Sequence, residues 1–513
     1  MNRTLLLGAT VVDPVDGPGH GPGAVEITGH RISFVGTADE AADRVAGATV
    51  LELDGAVLTP AFVDAHVHAT ATGLLVDGLD LTAAASAREV LDAVAARAAT
   101  HPGALVWGHG WQEQDWPDPV PSRAALDRAA AGAPVYLSRI DVHSALVSTA
   151  LLDRAPDATS AIGWSRGPLA AAAHHLVRRA ALDAIDPGTR GRTQRAFLAA
   201  TAARGVAVVH ECAGPDISSA ADLHELRALA ADPGAPEVVA YWGEAVTTAE
   251  QADALLTATG AHGLAGDLFI DGSIGSHTAA LREPYTDAPG ERGRRYLDPD
   301  AVGAHVLACT LAGVQAGFHV IGDAAADILL AGLHAAARAT STDAVRAAGH
   351  RVEHLEMVDA AQAAALHALG VVASVQPQFD ALWGGPDGMY AERLGPHRAA
   401  AMNPFAALQA AGVALAFGSD SPVTPVDPWA TVRAAAEHRT PGSAVAPLAA
   451  LAAHTVGGHR AAGDASPRAG RLVAGAPASY AIWDGGGPLT GAPGAPRCLR
   501  TVHRGRTLHD PTT

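Results

Sequence analysis

Residues 58–73, LTPAFVDAHVHATATG, contain two histidines around which the chain is organised, His66 and His68. The apolar run at 61–63 follows a Thr-Pro break, which indicates a buried strand. Because side chains two apart on a strand share a face, both histidines point the same way, with Cα atoms about 6.6 Å apart. Two imidazoles at this spacing can bind one ion of the zinc or iron class, but ordinary core or surface histidines give the same pattern.

The composition of the 513 residues favours helices packed on a parallel sheet. Hydrophobic residues make up 49% of the chain and aromatic residues only 4%, so the core is built mainly from Ala, Val, Leu and Ile. The length exceeds one ordinary domain and suffices for a barrel of about 250 residues with additions. The Ala-rich surface and the size of the chain are compatible with a homodimer.

The charge balance argues against nucleic acid as a partner. All 35 basic residues are arginine, and with 53 acidic residues the formal net charge is −18, whereas phosphate backbones require a basic face.

The three cysteines, Cys212, Cys309 and Cys498, are too few and too scattered for a disulfide framework, which indicates a reducing compartment. No apolar run has the length of a membrane span and no signal-peptide pattern is visible, so we expect a cytoplasmic protein without membrane contact.

Both ends of the chain are rich in short β-like runs separated by turn residues. At the N-terminus these runs include TLLLGATVVD and GAVEITG, and near the C-terminus ASYAIWD and RCLRTVHRG. We therefore expect residues 1–57 and 466–513 to form one small composite β-sandwich domain. A loop is predicted at 485–496, GGGPLTGAPGAP.

The middle of the chain, residues 58–465, alternates apolar strand-like runs with Ala-rich helical stretches. This alternation predicts an α/β fold of the (β/α)8, TIM-like barrel type, with an inserted α/β segment at about 72–204. The insert carries two candidate strands, Ala104–Gly108 and Pro134–Ile140. The eight predicted barrel strands are Ala61–His68, Gly205–Glu211, Val238–Gly243, Asp267–Gly272, Val314–Ile321, His350–Leu355, Val371–Gln376 and Val413–Asp420.

Polar residues lie where most of these predicted strands end. In a parallel barrel the carboxyl ends of the strands meet at one face, where catalytic groups gather. A single histidine at such a place is usually structural, but several together with a terminal Asp indicate a site. The polar residues at the strand ends are His66, His68, His210, Glu211, Trp242, Asp271, His319, His354, Gln376 and Asp420.

Four motifs together resemble the amidohydrolase superfamily. They are TPAFVDAHVH, GFHVIGDAAAD, RVEHLEMV and AFGSDSPV. DGSIGSHTAAL and DVHSALVSTALL are similar to its YtcJ-like branch, amidohydrolase family 3, which includes N-substituted formamide deformylases. The resemblance covers nearly the whole chain, including the β-rich ends, which this superfamily builds into a small sandwich.

The resemblance implies a divalent metal centre, with Zn²⁺ as the expected ion. His66 and His68 would be ligands from the first strand, His319 from the fifth and His354 from the sixth. Asp420 would be both a ligand and the group that transfers protons. Imidazoles and a carboxylate suit Zn²⁺ that keeps one position open for water.

The absence of lysine departs from the pattern of many relatives with two metal ions. These relatives bridge the ions with a carboxylated lysine on the fourth strand, and this chain has none. Asp267 falls at the corresponding position, but its side chain is several atoms shorter, so we do not expect it to reach both ions. Glu211, at the end of the second strand, is the alternative bridge. A role in orienting a ligand histidine is equally compatible with Glu211, so the sequence leaves open one or two ions.

Further polar and aromatic residues are candidates for substrate contact, although turns or ordinary packing would also account for each of them. Asp141 and His143 form a DxH motif in the insert, which the resemblance places over the barrel mouth. The other candidates are Trp111, Trp116, Asp271, Ser273, His277, Gln376 and Trp383.

The predicted function is metal-dependent hydrolysis of a C–N bond in a small amide, formamide or cyclic amide. Asp420 would shuttle the proton, and His354 or His143 would stabilise the oxyanion. Two alternatives remain at this stage. One is a deaminase of the same superfamily, and the other is a degenerate barrel that binds a small molecule without catalysis.

Overall fold

The computed structural model describes residues 3–19, 21–489 and 494–511. Residues 490–493 of the loop predicted at 485–496 therefore lie outside the described residues. Between residues 60 and 461 the chain contains both helices and strands, which agrees with the predicted α/β class. The described α-helices are Ala69–Asp77, Ala87–Thr100, Arg123–Ala129, Thr149–Leu152, Ala171–Asp183, Pro187–Ala202, Ala220–Leu229, Ala249–Thr259, Pro299–Ala312, Asp323–Ala339, Thr342–Ala348, Ala360–Ala368, Pro377–Trp383, Met389–Leu394, Pro396–Ala399, Phe405–Ala410, Pro428–Ala436, Pro447–Ala453 and Val456–Ala461.

Strands from the two ends of the chain pair in one nine-stranded sheet. The pairing of Val57–Pro60 with Tyr480–Trp483, which is antiparallel, joins the N-terminal strands to the C-terminal ones. The sheet contains Arg3–Asp13, Gly17–Pro18, Gly23–Thr28, Arg31–Thr37, Thr49–Glu52, Val57–Pro60, Tyr480–Trp483, Cys498–His503 and Arg506–His509.

The predicted insert contains its own sheet. Five short strands pair there, and two of them overlap the strands predicted at 104–108 and 134–140. In spatial order they are Leu169–Ala170, Ser144–Val147, Val135–Arg139, Val106–Trp111 and Leu79–Asp80.

Two parallel sheets supply the strands that carry the histidines. The three-stranded sheet contains, in spatial order, Glu237–Trp242, Val206–Ala213 and Phe62–Val67. The four-stranded sheet contains Gly317–Val320, Arg351–His354, Val372–Val375 and Ala414–Phe417.

Isolated parallel bridges lie at the edges of the two sheets. Val67 pairs with Ser421 on one side. On the other side, residues 263–264 lie between the sheets, where Gly263 pairs with Tyr241 and Leu264 pairs with Ala316. The fourth predicted strand, 267–272, forms no regular strand. It makes one bridge, between Phe269 and His319, because its other backbone groups bond to turns, such as the Gly272 amide, which donates to Thr278.

Trp483 packs the terminal sheet against the parallel sheets. Its ring is fully buried and lies 5.8 Å from Phe62 and 5.3 Å from Trp429, centroid to centroid. Its Nε1 donates to Thr59 Oγ1 at 2.9 Å. Gly205 lies directly against this ring, because a Cβ added there would come within 2.3 Å of Trp483 Cη2. The contact between the two parts of the chain therefore requires a residue without a side chain at 205.

We expect Gly205→Ala to lower the free energy of unfolding by more than Gly55→Ala does. Both glycines have φ +79°, a conformation that costs an alanine about 1 kcal/mol. The Gly205 site adds the collision with Trp483, typically about 1–3 kcal/mol, whereas nothing lies within 4 Å of the Cβ position at Gly55. Chemical denaturation of both variants measures the difference, and equal losses would contradict the proposed packing.

Candidate metal centre

The two histidines of the HxH motif and Asp420 converge on one point. The Asp420 carboxylate places Oδ1 3.0 Å from His68 Nε2 and 3.4 Å from His66 Nε2. All three side chains are buried. The backbone fixes this arrangement, because the Asp420 amide donates to the His66 carbonyl at 2.8 Å. The first and the eighth predicted barrel strands therefore meet at the ends that carry these residues.

The other two predicted histidine ligands face the same point through Asp267. The Asp267 carboxylate places Oδ1 3.5 Å from His319 Nδ1 and 3.7 Å from His354 Nε2. The same oxygen lies 3.6 Å from His66 Nε2, and Oδ2 lies 3.2 Å from His68 Nε2. Both oxygens of this short side chain therefore reach histidines.

Several of these inward-facing atoms lack a hydrogen-bond partner among the described residues. They are His66 Nε2, His319 Nδ1 and Asp267 Oδ1. Buried polar atoms without partners are rare and need an explanation. Their separations of 3.5 and 3.6 Å are close to the spacing of about 3.4 Å expected for ligand atoms around one tetrahedral Zn²⁺. The donor set and its geometry therefore fit a metal ion.

The outward-facing ring nitrogens of three histidines each have a hydrogen-bond acceptor. His66 Nδ1 lies 2.9 Å from Glu353 Oε2, and His354 Nδ1 lies 2.8 Å from Gln376 Oε1. His319 Nε2 lies 3.4 Å from the carbonyl of Gly272. A proton held on the outer nitrogen leaves the inner nitrogen free to bind a metal, which is the usual arrangement around metal-bound histidines.

Arg351 lies behind His66 and holds Glu353 in place. Its guanidinium donates to both carboxylate oxygens of Glu353, at 2.6 and 2.9 Å, and to the carbonyl of Ala65 at 2.7 Å. Burial by itself would raise the pKa of Glu353, but Arg351 outweighs it and lowers that pKa to about 2. Glu353 is therefore an ionised acceptor for the His66 ring.

Glu211 lies beside the cluster rather than at its centre. Its Oε2 accepts a hydrogen bond from the Ala69 amide at 2.8 Å, at the start of the helix that follows the HxH motif. Burial raises the pKa of Glu211 to about 7. The groups of ligand atoms lying within 4.8 Å of one another among the described residues include Asp267 but not Glu211.

Four of the predicted substrate residues line a small cavity next to the cluster. Asp141, His143, Ser273 and Trp383 share it with His354. Asp141 Oδ2 accepts hydrogen bonds from Ser273 Oγ at 2.7 Å and from the Arg139 guanidinium at 3.1 Å. Burial would raise the pKa of Asp141, but Arg139 keeps it below its ordinary value. The DxH motif of the insert therefore does lie over the histidine cluster.

The other predicted substrate residues make internal contacts. Trp111 donates from Nε1 to the Leu137 carbonyl at 2.8 Å and packs inside the insert. Asp271 accepts from the amides of Ile321, Gly322 and Ala280 at 2.8 to 3.0 Å. Gln376 contacts His354 as described above.

Two candidate ligands have strained backbones. His354 has φ +68° and Asp420 has φ +52°, values uncommon for residues other than glycine. Such conformations persist only where the surrounding structure enforces them, and they concentrate at functional sites.

Three residues at the cluster are not singled out by the sequence: Arg351, Glu353 and Arg178. Arg351 and Glu353 lie within the strand of His354. Arg178 lies in the insert and lines a cavity together with His68. The sequence RVEH at 351–354 could have identified Arg351 and Glu353, because residues two apart on a strand share a face, and this face points to the interior.

We expect Arg351→Met to lower the free energy of unfolding by about 3 kcal/mol or more. The substitution leaves the Glu353 carboxylate buried without a counter-charge, which is the costly way to break a buried pair. Arg88→Met is the matched control, because Arg88 pairs with Asp92 on the surface, with 87% and 72% of the two side chains exposed. Urea denaturation of both variants checks this, and equal stabilities would contradict the role of Arg351.

The chain matches known proteins over most of its length. The model of the amidohydrolase family matches residues 49–509. Among curated proteins, LONG AFTER FAR-RED 3 of Arabidopsis thaliana is 28% identical over 77% of this chain and 71% of its own. The YtcJ protein of Bacillus subtilis is 27% identical over 75% of this chain and 74% of its own. An N-substituted formamide deformylase of Arthrobacter pascens is 30% identical over 29% of each chain.

Solved structures share the fold. A metal-dependent hydrolase of Pyrococcus furiosus superposes with a TM-score of 0.73, at 24% identity, over 95% of this chain and 100% of its own. One from Pyrococcus horikoshii gives 0.74 at 23% identity over 99% and 100%. In the described part of the chain, each helix falls short of the length and apolar character needed to cross a bilayer. The match over residues 49–509 confirms the resemblance seen in the motifs: the chain belongs to the amidohydrolase family.

Proposed function

We propose that this protein is a metal-dependent hydrolase that cleaves the C–N bond of a small amide, formamide or cyclic amide. The observation that carries the proposal is the convergence of His66, His68, His319, His354 and Asp420 on one point, where several inward-facing atoms lack a hydrogen-bond partner among the described residues. A degenerate binding barrel is disfavoured, because a decaying site would be expected to lose at least one of these residues. The formamide deformylase relative supports the choice of bond.

The histidines, Asp420 and Asp267 would hold the metal, for which we propose Zn²⁺. When bound, such an ion polarises a carbonyl group and lowers the pKa of water to about 7. Asp267 presents one oxygen to His68 and the other to His319 and His354. We propose that Asp267 would take the role of the carboxylated lysine, as the carboxylate that would let the site hold a second ion. Glu211 is the alternative bridging carboxylate.

Asp420 has the position required for proton transfer. Its carboxylate lines the cavity together with His143 and His354, so it faces the space where a substrate carbonyl would lie. In the proposed reaction Asp420 accepts the proton of the attacking water and delivers it to the leaving amine. His143 is the candidate donor to the oxyanion, because His354 would use Nε2 to hold the metal and Nδ1 to contact Gln376.

We further propose that the two parallel sheets are parts of one (β/α)8 barrel spanning residues 58–465. The bridges at Val67 and Leu264 support this arrangement. The nine-stranded sheet would then be the composite sandwich of residues 1–57 and 466–513. In this organisation the strand ends that carry the site face the insert at 72–204, which would supply the pocket's selectivity.

We expect the Zn²⁺-loaded protein to hydrolyse members of a panel of formamides, acyl amides and lactams, and Asp420→Asn to lower kcat by about 10²–10⁴-fold. Asp253→Asn is the control, because Asp253 is an exposed helix residue away from the site. Product analysis identifies the bond, since deamination would release ammonia from an amino-substituted ring. Full activity after exhaustive chelation, or in Asp420→Asn, would refute the proposal.

Elemental analysis distinguishes the two candidate bridging carboxylates. We expect about two ions per chain in the wild-type protein and in Glu211→Gln, and a loss of at least one ion in Asp267→Ala. The reason is that Asp267, not Glu211, faces the inward nitrogens of the histidines. The reverse pattern would assign the bridge to Glu211. One ion in the wild-type protein would indicate a mononuclear centre.

A further inference from the structure

Arg178 is a buried cation for which the described residues provide no partner. It lies on the helix Ala171–Asp183 of the insert, on the same inward face as His174. Only 5% of the residue is exposed. Within residues 3–19, 21–489 and 494–511, its side chain makes no hydrogen bond and no ion pair.

The Arg178 side chain faces the candidate metal centre. It lines one narrow cavity together with His319 and Asp420, and a second one together with Thr70 and Glu211. His68 lines both cavities. The guanidinium is therefore next to the place where the proposed substrate would bind, on the side of the insert.

Other buried arginines of this protein show what Arg178 lacks. Arg351 donates to both oxygens of Glu353, and Arg139 pairs with Asp141 at 3.1 Å and with Glu113 at 2.9 Å. A buried charge without a counter-charge is costly, so buried cations are normally paired. The Arg178 guanidinium, which lines two cavities, is therefore free to pair with an acceptor on a bound molecule.

A wider space leads to this position. A cavity of about 700 Å³ lies between the insert and the parallel sheets. It shares Thr70, Leu182 and Ile217 with the narrow cavity beside Arg178 and His68. A small molecule in the wider space can therefore place one end next to Arg178.

We propose that Arg178 binds a carboxylate group of the substrate, so that the enzyme selects amides that carry a negative charge beside the scissile bond. The inference rests on the proposed function and names its substrate class. A carboxylate carries one charge and matches a single guanidinium with two parallel hydrogen bonds. A doubly charged phosphate is disfavoured, because Asp267, Asp420 and Glu211 line the same cavities.

A pair of compounds that differ only in the carboxylate tests this. N-formylphenylalanine, as both enantiomers, and N-formylphenethylamine would be assayed with wild-type protein, Arg178→Gln, Arg178→Lys and Arg128→Gln. Arg128 is the matched control, since it is an exposed arginine on another helix of the insert and makes no side-chain hydrogen bond in the described structure. We expect Arg178→Gln to lower kcat/KM for the carboxylate compound by about 30-fold or more, mainly through KM.

The remaining measurements separate recognition from other roles. The neutral compound should be affected less than about 3-fold by Arg178→Gln, and Arg178→Lys should restore part of the loss. The melting temperature of ligand-free Arg178→Gln should equal or exceed that of the wild-type protein, because an unpaired buried charge is removed. Equal losses on both compounds, or a lowered melting temperature, would overturn the inference.

Binding measurements keep this test independent of turnover. In the Asp420→Asn background, calorimetric titration should show tighter binding of N-formylphenylalanine, benzoate or acetate than of N-formylphenethylamine, and Arg178→Gln should abolish this preference. Absence of the preference would refute the role of Arg178. Absence of hydrolysis with the preference intact would instead refute the proposed reaction.

Discussion

The buried ion pair of Arg351 and Glu353 is the interaction on which the rest of the site depends. The Arg351 guanidinium donates to the Ala65 carbonyl on the strand of His66. It also contacts Ser374 and His210 on neighbouring strands. Glu353 in turn fixes the His66 ring. Because both charges are fully buried, each of their polar atoms needs a hydrogen-bond partner. These partners lie on strands far apart in sequence, so the ion pair holds those strands in one register.

A second constraint is the close approach of the segments that carry the HxH motif and Asp420. A Cβ at Gly418 would lie 2.6 Å from the His66 amide, so only glycine allows the two backbones to meet. Asp64 Oδ1 then accepts from the Ser419 amide at 2.9 Å. The contact leaves Asp420 in an uncommon backbone conformation, and it brings a carboxylate to two histidines that lie about 350 residues earlier. Strain at this position thus accompanies the assembly of the site.

Much of the architecture follows from local patterns. Seven of the eight predicted barrel strands coincide with observed strands, since apolar runs between turn residues report burial directly. The exception, 267–272, is short and irregular, and its pairing with His319 depends on the neighbouring chain. The role of Trp111 could not be predicted in this way. An aromatic residue in the insert can line a pocket or pack within the insert, and only its contacts in the folded chain distinguish these two roles.

The sequence by itself determined the family, the order of the strands and the five residues that carry the strongest chemical signal. It could do so because histidine spacing, strand periodicity and the motif around Asp420 are local properties of the chain. Only the tertiary structure decided that Asp267 reaches the histidines and that Arg178 faces them without a partner in the part of the chain that the structure describes. The reach of a side chain depends on how closely separate segments approach, and the absence of a partner depends on every neighbour at once. Neither quantity is encoded at any single position of the sequence.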